Sequence, residues 1–393
     1  MKRLIVSAGL LIDGTGGLPI EGGAVLIDGE RIISVGKAEE IGPESEADMV
    51  DCGDEVLIPG LIDCHNHLSM DPTMENYLYR LNDSDAAQAL RASANMAVDL
   101  RAGVTTARCL GDKNFLDVEC KRAVESGLLT GPRLIVATRG IRATHGHGFA
   151  GYPFDGPDQI RCAVRENLKA GADLIKFYVT GTLRGSGEIH SYFSKEEISV
   201  IVQEAHRAGV RTAVHCIGGI GLEWCIEAGV DSIEHGYFMT DREIDLLAQS
   251  DSYLDLTPSP FLTEARIRTL PRELIDAHLN EQDKARKRMA AAIKGGVKFA
   301  VGTDGMHGGL AQEIEYLVEL GAPASEALMA ATRYAALVCG LEESIGTLKP
   351  GKIADIIGVK GNPLEDIRAL GRVGTVISKG KVKCGPSSPT EFL

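Results

Sequence analysis

The sequence predicts an α/β protein: a (β/α)8 TIM barrel carrying a small β-sandwich domain built from both ends of the chain. Three observations predict it. A helix-like stretch that ends in Ala-Gly or Gly-Gly and runs into a short β-rich segment recurs at 102–108, 170–176, 208–215, 228–235 and 295–304. Adding the β-rich runs at 56–65, 132–137 and 252–257 brings the candidate strands to eight. The two ends of the chain are β-rich and punctuated by tight-turn signals.

Taken in order, the N-terminal run Met1 to Asp13 has two basic residues before an apolar stretch, but Asp13 ends it and Gly14-Thr15-Gly16-Gly17 follows. It reads as a first strand and not as a signal peptide. Ala24-Val25-Leu26-Ile27 and Arg31-Ile32-Ile33-Ser34-Val35 flank Asp28-Gly29-Glu30, a strong hairpin signal. Near the C-terminus, Val373 to Ile377 precedes Ser378-Lys379-Gly380-Lys381, a second such turn. Because an isolated hairpin is only marginally stable, residues 1–55 and 346–393 are expected to form one discontinuous sandwich domain around a catalytic barrel of residues 56–345. Within the barrel, glycine just past each helix end supplies the left-handed stop. Ser194-Lys195-Glu196-Glu197 is a capping box opening a helix to Arg207, with Ile198, Ile201, Val202 and Ala205 at helical spacing. An open doubly wound sheet is the alternative, but no G-x-G-x-x-G follows a first strand.

Composition narrows the function. The net charge of −14 argues against a nucleic-acid partner or an anionic membrane surface and favours a small-molecule substrate. The nine cysteines are scattered without a C-x-x-C pair, which suits a reducing, cytoplasmic setting. No uncharged apolar stretch is long enough to span a bilayer. The apolar helix faces are compatible with a homo-oligomer.

Chemistry-bearing residues fall at the strand ends. The run Val56-Leu57-Ile58-Pro59-Gly60-Leu61-Ile62-Asp63-Cys64-His65-Asn66-His67 reads as a buried strand closing on two histidines spaced i and i+2, which face one side of an extended chain. Alone, such a pair is equally well two loop histidines. Lys176 in strand four, His215 closing strand five, His235 closing strand six and Asp304 closing strand eight change that balance. In a barrel of this kind the C-terminal strand ends share one mouth, so these residues point to a metal centre. Lys176 alternates with Ile175 and Phe177, which places it on the interior face. Cys64 and Cys216 alternate away from the ligands as small packing residues, and His206 and His278 are expected to be structural or exposed.

Over nearly its whole length, from the Pro59-Gly60-Leu61-Ile62-Asp63-Cys64-His65-Asn66-His67 motif to Gly346-Thr347-Leu348-Lys349-Pro350-Gly351, the chain resembles the amidohydrolase superfamily. The resemblance implies two divalent metal ions, with zinc expected. It implies that His65 and His67 ligate the buried metal, that a carboxylated Lys176 bridges the two, that His215 and His235 ligate the second, and that Asp304 completes the set. The mononuclear branch carries a glutamate three residues after the strand-five histidine. Here His215 is followed by Cys216-Ile217-Gly218, so the binuclear branch is the better match. Arg142-Ala143-Thr144-His145-Gly146-His147-Gly148 resembles the His-Gly segment of Xaa-Pro dipeptidases and metal-dependent carboxypeptidases in that branch.

The chemistry follows from what amide hydrolysis needs. Metal ions lower the pKa of water and polarise the carbonyl. Asp304 is then the catalytic group that takes the proton from the nucleophile and passes it to the leaving nitrogen. The expected activity is hydrolysis of an amide bond in a dipeptide or N-acyl amino acid, with His145, His147, Arg184, Tyr237 and His307 lining the substrate pocket and His190 and Tyr192 nearby. A cyclic amide, lactone or carbamate is the alternative substrate class. A non-catalytic scaffold is disfavoured because all six ligand positions are filled.

Overall fold

A computed structural model of the chain describes residues 3–41, 47–73, 79–148, 152–181, 188–269 and 272–385. Eight parallel strands make its centre: β1 (Leu61–Asn66), β2 (Val104–Cys109), β3 (Arg133–Val136), β4 (Leu174–Tyr178), β5 (Arg211–Cys216), β6 (Ser232–His235), β7 (Tyr253–Leu256) and β8 (Phe299–Val301). They follow one another in chain order, β1-β2-β3 in one sheet and β4 through β8 in another. Helices lie between them in sequence, among them α1 (Asp85–Arg101), α2 (Leu116–Glu125), α3 (Pro157–Ala170), α4 (Lys195–Arg207), α5 (Ile220–Ala228), α6 (Asp241–Ala248) and α7 (Arg272–Lys294). The predicted helix stops are present. Gly171 after α3 and Gly229 after α5 adopt φ of 111° and 82°, a region only glycine enters without strain.

The ladder is interrupted at two seams, where the sequence predicted continuous closure. After β3 the backbone turns at Thr138, φ 63°, and β4 pairs instead with Ile141–Arg142. Asp173 covers the gap, its N–H donating to the Val136 carbonyl at 2.8 Å and its carboxylate accepting from the Val136 N–H at 2.9 Å. At the second seam, between β8 and β1, the Asp63 side chain replaces ladder bonds. It accepts from the Thr303 N–H at 3.0 Å and from the Thr303 hydroxyl at 2.7 Å, while the Asp304 N–H donates to the His65 carbonyl at 2.7 Å.

The strand expected over 56–65 is two strands. Glu55–Pro59 belongs to a six-stranded sheet with Leu10–Leu11, Ile20–Glu21, Ile356–Lys360, Val373–Ser378 and Lys381–Cys384, and only residues from Leu61 onward join the central set. Gly60 is the break, because a Cβ there would overlap the Thr105 side chain on β2. Both predicted hairpins form: Gly23–Asp28 pairs antiparallel with Arg31–Lys37, and Val373–Ser378 with Lys381–Cys384. The first belongs to a four-stranded sheet with Leu4–Ser7 and Asp48–Asp51. Val6, Leu11, Val25, Ile27, Ile32, Leu57, Ile356 and Ile377 form one apolar cluster between the two sheets, which is why the chain ends depend on each other.

Candidate metal centre and active site

Alternation along β1 turns Asp63, His65 and His67 to one side and places both imidazoles at the strand's C-terminal end. The His65 ring is buried, with Nδ1 2.9 Å from Glu234 Oε2 and Nε2 3.3 Å from Asp304 Oδ1. The His67 Nδ1 lies 2.7 Å from the Gly111 carbonyl oxygen, and its Nε2 lies 3.5 Å from the same Asp304 oxygen. At the end of β6, the His235 ring centroid is 4.8 Å from that of His65, and its Nδ1 bonds Thr257 Oγ1 at 2.7 Å. His215, ending β5, sits 4.5 Å from His235, centroid to centroid. Lys176 on β4 is fully buried with its Nζ 5.2 Å from the Tyr178 ring centroid.

The electrostatics of this cluster follow from burial. Desolvation pushes the pKa values of His65, His215 and His235 well below the ordinary imidazole value and that of His67 down to about 4. The close approaches to Asp304 are therefore not ion pairs: neutral rings offer lone pairs, the form that binds metal. Burial likewise draws Lys176 down to about 8 and raises Asp304 to about 7. His65 Nε2, His215 Nε2 and Lys176 Nζ are buried and make no hydrogen bond among the described residues. Donor atoms of His65, His235 and Asp304 lie within 4.8 Å of one another, a spacing that fits a metal site.

Backbone strain marks the same place. His235 and Asp304 carry φ of 81° and 52°, left-handed conformations uncommon outside glycine and costing on the order of 1–3 kcal/mol each. Such strain persists where the surrounding structure imposes it, most often at functional sites.

The amidohydrolase family profile matches residues 56–383. The chain belongs to the amidohydrolase family. A curated relative, ochratoxinase from Aspergillus niger, is 31% identical over 98% of this chain and 87% of its own length. A crystal structure of a Xaa-Pro dipeptidase with bound methionine in the active site superposes with a TM-score of 0.89 at 32% identity, covering 98% of this chain and all of that one. A prolidase complexed with N-methylphosphonate-L-proline superposes with a TM-score of 0.88 at 26% identity, covering 98% of this chain and 100% of that chain. As an amidohydrolase, the protein is a small-molecule hydrolase acting on carbon–nitrogen bonds. Its α/β fold matches the solved amidohydrolases, and among the described residues no helix is long and apolar enough to cross a membrane.

The amidohydrolase cluster brings some of the expected substrate residues together and not others. Tyr237 stacks on His235, centroids 5.2 Å apart, and its hydroxyl donates to the Thr257 carbonyl at 2.7 Å. The His147 ring is 4.4 Å from that of His215, and His145 packs edge-on against Tyr192 at 5.2 Å. His307 departs from expectation. Its Nδ1 is 2.8 Å from Asp99 Oδ2 and its Nε2 3.1 Å from the His67 carbonyl oxygen, so it clamps the His67 backbone and has no nitrogen left for a substrate. His190 is 70% exposed beside Glu188, and Arg184 lies outside the described residues. His206 is exposed, as expected, and bonds Asp231 at 2.8 Å. His278 is buried and stacks on Phe261, where a polar helical context had suggested a wet surface as readily.

Sequence reasoning missed the layer behind the ligands: Glu234, Arg108, Asp255 and Thr257. One signal was present. Ser232 and Glu234 alternate inward on β6, and Arg108 interrupts the otherwise uncharged strand Val104–Cys109, where an unpaired charge would be costly. A separate cavity of about 180 Å3, lined by Leu100, Arg101, Thr130, Val376 and Lys383 among others, shares no residue with this site.

Proposed function

We infer that the protein hydrolyses the amide bond of a dipeptide or N-acyl amino acid, prolidase-like, at a centre of two divalent metal ions. One observation carries this reading: among the described residues three buried nitrogens of the cluster, His65 Nε2, His215 Nε2 and Lys176 Nζ, have no hydrogen-bond partner. Each unpartnered buried polar atom costs about 1–3 kcal/mol, and ligands that complete all of them in one place remove the cost together. The holding residues would be His65, His67, His215, His235, Lys176 and Asp304, and an imidazole-carboxylate donor set suits zinc. Bound there, such ions polarise the scissile carbonyl and bring water's pKa toward neutrality.

The chain's own residues supply the rest. Lys176 must be neutral to take up carbon dioxide as a carbamate, and burial favours that form by drawing its pKa to about 8. Asp304 is placed to accept the proton of the attacking water and deliver it to the leaving nitrogen, so that the amine departs neutral. Tyr237, fixed to Thr257 and stacked on His235, forms one wall. His145 and His147 are the candidates to bind the substrate carboxylate, and Arg184 is retained as a third.

Relatedness to prolidases favours this substrate class. In the same reading the eight strands, from Leu61 onward, act as a (β/α)8 barrel whose two seams are bridged by Asp63 and Asp173, and Glu55–Pro59 belongs with the N- and C-terminal strands of the β-sandwich domain. The nine unpaired cysteines suit the cytoplasm. Zinc- and manganese-loaded protein assayed against carboxylate-bearing dipeptides, N-acyl amino acids and neutral cyclic amides tests the assignment. Turnover is expected on the first two, and turnover confined to cyclic amides, lactones or carbamates would replace it.

A further inference from the structure

Three rings of the centre have a visible partner on Nδ1, and they differ in kind. His67 meets a backbone carbonyl, His235 meets a hydroxyl, and only His65 meets a carboxylate, Glu234. Glu234 is fully buried on β6. Its Oε1 accepts from the Ser232 hydroxyl at 2.6 Å and from Arg108 Nη2 at 2.9 Å, and its Oε2 lies 3.0 Å from the same Arg108 nitrogen.

Arg108 is itself fixed from four sides. Its Nε donates to the Cys64 carbonyl at 2.6 Å, its Nη1 to the Ser232 hydroxyl at 2.9 Å, and its Nη2 to Glu234 and, at 3.1 Å, to Asp255. The grouping of His65, Glu234 and Asp255 could be mistaken for a second metal site. The guanidinium already bonds both carboxylates, so that grouping contains its own cation.

We propose that Glu234, held in place by Arg108, is the positioning residue of His65: it accepts a hydrogen bond from Nδ1–H, fixes the tautomer whose Nε2 faces Asp304, and strengthens that nitrogen as a metal donor. A carboxylate behind a ligating imidazole orients the ring and raises its basicity, where a hydroxyl or carbonyl does so less. The network ties β1, β2, β6 and β7 at one point, so the ring cannot turn without breaking several charge-assisted bonds. The proposal rests on reading His65 as a metal ligand.

The test uses full-length, metal-stripped protein as wild type, Glu234→Gln and Glu234→Asp, with Zn2+ titrated against a chromophoric chelator. Gln removes the charge; Asp keeps a charge for Arg108 but withdraws it from His65 by one methylene. Both variants are expected to bind Zn2+ about 10- to 100-fold more weakly than wild type. A role confined to folding would instead lower the melting temperature of the metal-free form and leave Zn2+ affinity unchanged, and that result overturns the proposal. If the Gln variant does not fold, the Asp variant decides. A wild type that binds no Zn2+ overturns both this proposal and the metal reading beneath it.

Discussion

At the scale of single residues, the site depends on how closely β8 approaches β1. A Cβ on Gly302 would overlap the backbone nitrogen and Cβ of His65, so glycine is required there for space. Gly302→Ala is expected to cost about 1–3 kcal/mol in thermal or denaturant unfolding and to weaken metal binding with it. Unaltered stability and metal content in that variant would contradict the packing described. Asp304→Asn keeps the shape but removes the proton acceptor, and turnover is expected to fall by about 10²- to 10⁴-fold while the circular dichroism spectrum stays that of wild type. The candidate ligands His65, His67, His215, His235 and Asp304 were legible in the sequence because each lies at or just past the end of a strand, a position that periodicity locates, and Lys176 because it alternates with Ile175 and Phe177 within one. Glu234 and Arg108 were not, because a buried charge reveals its purpose only beside partners from other strands, and those pairings lie more than a hundred residues apart. The strained φ of His235 and Asp304 was equally invisible, since tertiary contacts impose it.

At the scale of elements, local signals were faithful and boundaries less so. The capping box is present: Ser194 Oγ accepts from the Glu197 N–H at 3.3 Å, and Glu197 accepts from the Ser194 N–H at 2.7 Å. Ser194→Ala is expected to cost about 1 kcal/mol, read as a lowered melting temperature. The split at Gly60 escaped sequence reading because Leu57, Ile58, Leu61 and Ile62 are all buried, and an apolar run does not say which sheet receives it. Glu204 on α4 joins that helix to α3 by accepting from Arg165 at 3.0 Å and Arg161 at 2.6 Å, with Arg207 adding 2.8 Å within α4. The hydrogen bond from Arg165, with those of its neighbours, holds the Glu204 carboxyl below its ordinary pKa. A depressed carboxyl stabilises above its unfolded value and loses that contribution as the pH falls through the folded one. Glu204→Gln should therefore be less stable than wild type near neutrality, the difference shrinking as the pH drops below the usual carboxylate range. A difference independent of pH in denaturant titrations would count against this ion cluster.

At the scale of the whole molecule, two facts explain why the site forms where it does. Eight parallel strands in chain order bring residues 65, 67, 176, 215, 235 and 304 to one end although they are spread over most of the sequence. The seams that interrupt the ladder are closed by Asp63 and Asp173, acidic side chains accepting the backbone bonds that a strand would otherwise take. The class of fold was legible from the recurring helix-glycine-strand unit, whereas the seams depend on individual side chains and were not. In the proposed function metal ions complete this cluster and hydrolysis needs them. Its most direct test is to measure amidase activity and metal content together in protein exhaustively stripped with chelator and then reloaded with zinc. Activity is expected to disappear with the metal and to return as about two ions per chain are restored; full activity in the stripped protein would contradict a metal-dependent hydrolysis.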